Sequence, residues 1–76
     1  MDNDYQPPAE EVADLEIRKK LFELREEHRA LDAAIDALTQ TSPNDQISLG
    51  RLKRRKLQLK DQIKFFEDQL RPDIIA

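Results

Sequence analysis

Two runs of this chain carry seam residues alternately three and four positions apart, and no other feature constrains the fold as strongly. In the first run Ile17, Leu21, Leu24, His28, Leu31, Ile35 and Leu38 follow at intervals of 4, 3, 4, 3, 4 and 3. In the second, Leu49, Leu52, Lys56, Leu59, Ile63, Phe66 and Leu70 follow at 3, 4, 3, 4, 3 and 4. A repeat near 3.5 residues lines these side chains up in one stripe along an α-helix, the seam of a coiled coil. A half-buried strand would alternate with period two. The residues around both seams are helix formers: Ala, Leu, Glu, Lys, Arg and Gln.

The punctuation agrees with two helices, over about 9–40 and 44–70, joined by a turn at about 41–43. Pro8 suits a first helical turn, and Glu10 and Glu11 fall where the helix dipole favours negative charge. In the T-S-P-N-D stretch, Ser42 reads as an N-cap and Pro43 as the first helical residue. Asp45 then stands three residues on, as in a capping box. Gly50 lies inside the second helix at a cost of about 1 kcal/mol relative to Ala. Residues 1–8 and 72–76 read as tails: the first is acidic and ends in two prolines, and Pro72 cannot continue a helix.

A short turn between two seams forces an antiparallel hairpin. If Leu38 pairs with Leu49, the later layers are Ile35 with Leu52, Leu31 with Lys56, His28 with Leu59, Leu24 with Ile63, Leu21 with Phe66 and Ile17 with Leu70. Each pair of numbers sums to 87, and both seams end together. On the flanks this register sets Asp32 opposite Lys53, Arg18 opposite Glu67 and Arg25 opposite Lys60. The expected fold class is therefore all-α, an antiparallel two-helix coiled-coil hairpin.

Length and composition exclude other classes. Seventy-six residues suffice for one small domain, without the layers that wall a catalytic pocket. No run of about 18 apolar residues could span a membrane, and no apolar stretch reads as a secretory signal. The chain has no Cys, which fits a reducing, cytoplasmic setting and removes thiolate ligands. Equal shares of charged and hydrophobic residues, 38% each, suit amphipathic helices.

The stretch R-L-K-R-R-K-L-Q-L-K-D-Q-I at 51–63, preceded by L-R-E-E-H-R-A-L-D-A-A-I at 24–35, resembles the YdcH-like family of small bacterial proteins. The resemblance covers roughly residues 21–67. Its core, L-K-x-x-K-L-x-L-K-D-x-I, matches at Leu52, Lys53, Lys56, Leu57, Leu59, Lys60, Asp61 and Ile63. It implies a helical, coiled-coil fold and a bacterial cytoplasmic protein. It brings no catalytic residue, cofactor or established partner.

Two seam positions are polar. His28 lacks the further His or Cys ligands that a metal site needs. It is expected to sit at the edge of the core, reaching solvent or Asp32. Lys56 can lay its stem over Leu31 while the ammonium escapes to the edge. Polar groups at such positions fix register and oligomeric state, and that is the role expected of both residues.

The flanks differ in charge. Heptad positions b and e on the first helix hold Leu15, Arg18, Phe22, Arg25, Arg29, Asp32 and Asp36. On the second they hold Lys53, Leu57, Lys60, Lys64, Glu67 and Arg71. In an antiparallel hairpin these stripes share a side, which sums to +4 and carries three apolar residues. The opposite flank, with Glu16, Lys20, Glu23, Glu27, Arg51 and Arg55, sums to zero. Leu15, Arg18, Phe22, Arg25, Arg29, Lys53, Leu57, Lys60 and Lys64 thus form the candidate partner face. Leu15, Phe22, Leu57 and Phe65 remain outside the seam, and a small hairpin core is marginal by itself. Self-association into a four-helix dimer, or a protein partner in its place, is expected.

The function expected is non-catalytic protein–protein interaction, as an adaptor or self-associating hairpin. No nucleophile–base pair, glycine loop or metal cluster supports an enzyme, and no cofactor is implied. The competing reading is nucleic-acid binding by the second helix, where Arg51, Lys53, Arg54, Arg55, Lys56, Lys60 and Lys64 outnumber Asp61. The net charge of −3 and the scarcity of aromatic side chains weigh against it.

Overall fold

The computed structural model describes residues 9–70. The expectations placed on residues 1–8 and 71–76, among them the two tails, Pro8 and Arg71, lie outside the described residues. Two helices make up the fold: α1, Ala9–Thr41, and α2, Gln46–Gln69. At about 1.5 Å per residue they run for about 50 Å and about 36 Å. They pack on each other as a hairpin.

The turn forms three residues later than the capping-box pattern suggests. The Ser42 N–H still donates to the Leu38 carbonyl at 2.7 Å, which closes the last turn of α1. Thr39 and Thr41 also turn back, their hydroxyls donating to the Ile35 and Ala37 carbonyls at 2.7 and 2.8 Å. Pro43 has no N–H with which to prolong the ladder. The Asp45 N–H then donates to the Ser42 carbonyl at 3.0 Å. Asp45, rather than Ser42, is the N-cap of α2: its Oδ1 accepts from the Ser48 N–H at 3.1 Å. Ser42 is committed to α1, and a carboxylate gains more than a hydroxyl from the positive end of a helix. The bond from Ser48 holds the Asp45 carboxyl below its usual range.

Burial follows the seam. Each of the fourteen seam positions is buried or half-buried, and none is exposed. The driest are Leu59, fully buried, with Leu21 at 2% and Leu24 at 4% exposure; Leu49 closes the turn end at 6%. Outside the seam few described side chains are more than superficially covered. α2 stops at Gln69, where Leu70 turns extended and its N–H donates to the Glu67 carbonyl at 3.2 Å. Because Ile17 lies opposite Leu70 in this register, the first two turns of α1, residues 9–16, project past the end of α2. Gly50 answers no packing demand, since a Cβ there would meet nothing within 4 Å.

Candidate functional site: a polar layer opening on a basic flank

The polar layer begins with Lys56. Its position faces Leu31, but its ammonium leaves the seam and meets Asp32 Oδ1 at 2.5 Å. That hydrogen bond is the main reason why the Asp32 carboxyl is held below its ordinary range, with His28 and Lys60 adding to the pull. His28 places Nδ1 3.6 Å from the other oxygen of Asp32, one helical turn along α1. Its Nε2 points inward, where it is buried and has no hydrogen-bond partner. A buried polar atom left unpaired costs about 1–3 kcal/mol. His28 therefore lies at the core edge beside Asp32, as its spacing suggested, and its inner nitrogen is a defect in an otherwise apolar seam.

Among the described residues three ion pairs cross the hairpin, and they test the register. Arg25 meets Glu67 at 2.7 Å and Lys56 meets Asp32 on one flank. On the other, the Arg55 guanidinium reaches Glu27 Oε2 through two nitrogens, at 2.8 and 3.0 Å. The residue numbers of these pairs sum to 92, 88 and 82, bracketing 87. Two expected facings are corrected. Asp32 is taken by Lys56 and not Lys53, and Glu67 by Arg25 and not Arg18. Long side chains reach one to two turns along the axis, so Arg25 escapes Lys60 and finds a carboxylate further on.

The candidate partner face lies on the Arg25–Glu67 flank. Phe22 is 64%, Leu57 62% and Leu15 59% exposed. Arg29 pairs with Glu26, and Lys64 lies 3.7 Å from Asp68. Among the described residues no ion pair holds Arg18, Lys53 or Lys60. Shallow, open depressions line this flank, one bounded by Arg25, His28, Arg29, Asp32 and Ile63, another by His28, Lys60, Lys64 and Glu67. They meet at His28, so the weak point of the seam opens towards the basic flank. With Arg71 outside the described residues, the stripe keeps six cations against three carboxylates.

The seven bases of residues 51–64 do not form one surface. Lys53, Lys60 and Lys64 face the flank just described, Arg51 and Arg55 face the other, Arg54 points outward and Lys56 comes from the seam. Ion pairs occupy Arg55 and Lys56. The spread follows from the helical repeat and breaks up the positive stripe that a phosphate backbone would need. Sequence reasoning missed Ile47, which lies off the seam at the start of α2 and is 71% exposed.

Among the described residues no group of three or more His, Cys, Asp or Glu is placed to hold a metal ion. No described helix is long and apolar enough to cross a membrane. Residues 21–67 match the family model described as "Protein of unknown function (DUF465)". The chain matches no curated protein and no solved structure.

Proposed function

The chain belongs to the DUF465 family of proteins of unknown function, and from its surface we propose that it is a non-catalytic protein-interaction module. It associates with itself or with another protein through the basic, apolar flank. The observation that carries this reading is the exposure of Phe22 and Leu57 on the one flank whose charge is strongly unbalanced. Aromatic side chains and Arg are enriched at protein contact faces, with a polar rim around them. The polar layer of His28 and Lys56 gives the hairpin its register in this reading.

The finer assignment to the YdcH-like proteins, and with it a bacterial and cytoplasmic setting, belongs to the same proposal. It is supported by the L-K-x-x-K-L-x-L-K-D-x-I core, which falls within the matched residues.

Light scattering over a concentration series tests the reading, together with titration of duplex and single-stranded DNA at low salt. Reversible association of the protein, with no DNA binding, is the expected result. Tight, salt-sensitive DNA binding by a monomer would overturn it in favour of a nucleic-acid role for α2.

A further inference from the structure

The two turns of α1 that project past α2 leave an apolar surface uncovered, beside the point where α2 releases the chain. Leu15 is 59% and Val12 41% exposed there. Three residues apart, they are neighbours on the helix surface. No described residue of α2 lies level with them, because α2 stops at Gln69 and Leu70 faces Ile17. Two helical turns without a packed face are marginal in water. The six residues that follow Leu70 read R-P-D-I-I-A, with Ile74 and Ile75 side by side.

Direction and reach favour a meeting of the two. Leu70 leaves α2 extended, at φ −73° and ψ 142°. Proline drives the residue before it towards the same region, and Pro72 follows Arg71. Two extended residues in succession carry a chain onward from α2, beside residues 9–16, and not back along the hairpin. Ile74 and Ile75 stand four and five residues past Leu70, which at about 3.3–3.6 Å per residue spans up to about 13–18 Å. α1 is about 10–12 Å across, and Leu15 lies about 3 Å along its axis from Ile17. The two isoleucines can therefore pass round α1 to Leu15 and on to Val12. Exposed Ile47, about 35 Å away along α2, is beyond them.

We propose that residues 72–76 dock on the projecting end of α1, with Ile74 and Ile75 against Leu15 and Val12 of the same chain. Tethering favours this occupant, since a segment joined at the edge of its site acts at about millimolar effective concentration. The segment before Ala9 fits less well. It carries Asp2 and Asp4 and no base, next to turns that already hold Glu10, Glu11, Asp14 and Glu16. Residues 71–76 set Arg71 against Asp73 and are neutral in sum. The contact is independent of the self-association proposed above. It withdraws Leu15 from the partner face and leaves exposed Phe22 and Leu57, which carry that reading, uncovered.

Ile74→Ser with Ile75→Ser tests this in the full chain, by amide hydrogen exchange read in NMR spectra. The amides of residues 13–16 close the projecting turns and should lose about tenfold in protection, while those around Leu59 keep theirs. Unchanged protection at residues 13–16 would overturn the proposal. Because the chain has no Cys, Ala76→Cys accepts a nitroxide label as a second readout. The label should broaden the resonances of Val12 and Leu15, and the two serine substitutions should relieve that broadening. Equal broadening with isoleucine and with serine would mean a tether without a docked state, and would also overturn it. A mixture of isotope-labelled protein lacking the nitroxide with unlabelled protein carrying it identifies which copy supplies the segment. No broadening in that mixture is the expected result. Broadening as strong as within one chain would assign the segment to a second copy and overturn the same-chain contact.

Discussion

The stretch of seam around Leu21 and Leu24 and the stretch around His28 and Lys56 are built by one repeat, yet they differ in kind. In the first, two leucines are almost wholly withdrawn from solvent. In the second, one side chain leaves the seam for Asp32 and the other buries a nitrogen without a partner. Leu59 belongs to both: it faces His28 and is itself fully buried. On the proposed reading the difference separates two tasks. Apolar layers supply cohesion, which does not discriminate among registers. Polar layers cost stability and tolerate few alternatives, because a slip would strand a charge.

Leu59→Ala should break the apolar side of this comparison hardest. It empties a fully buried site, and large-to-small changes of this type cost about 2–5 kcal/mol. Urea unfolding should show that loss, with a smaller one for the same change at half-buried Leu52. His28→Leu tests the polar side in the opposite direction. It removes the unpaired nitrogen, and stability should rise by about 1–3 kcal/mol. A fall would mean that the imidazole is satisfied from within the seam.

Lys56→Leu should stabilise less, by about 1 kcal/mol, since it gains burial but loses the tie to Asp32. Its melting temperature should rise while its oligomeric state becomes less uniform in light scattering. Acid should produce the smallest effect. Lys56 and Ser48 hold the carboxyls of Asp32 and Asp45 below the ordinary value of 3.8. Their contribution is complete above that value and lost as the pH falls through the lowered ones. Thermal stability should therefore decline below about pH 4, and less so in Asp32→Asn, which lacks the titrating group.

Much of the fold was legible in the spacing of seam residues. A 3.5 repeat has one geometric solution, and two such repeats ending together define their own alignment. The burial of all the seam positions, His28 and Lys56 included, follows from that periodicity. The cap at Asp45 was not legible, because Ser42 and Asp45 are both competent caps. The choice between them depends on where α1 releases its last N–H. The ion pairs of Asp32 and Glu67 were misread for a related reason. Periodicity places backbones, whereas Arg and Lys carry their charges one or two turns away. The flank itself was legible as a stripe, since its Cβ positions follow from the heptad, while the depressions beside His28 depend on side-chain conformations that the heptad does not fix.

The four residues between the helices make the hairpin fold from one end. Leu38 and Leu49 close a short loop, and each doubling of loop length adds only about 0.6 kcal/mol of closure entropy. Zipping can then advance layer by layer through contacts of steadily greater sequence separation. The driest part of the seam, which runs from Leu59 through the layers of Leu24 and Leu21, lies well along that path. Speed and endurance should then reside at different ends of the molecule. Changes at the turn are expected to act on how quickly the hairpin forms, and changes at the distant leucines on how long it lasts before it opens.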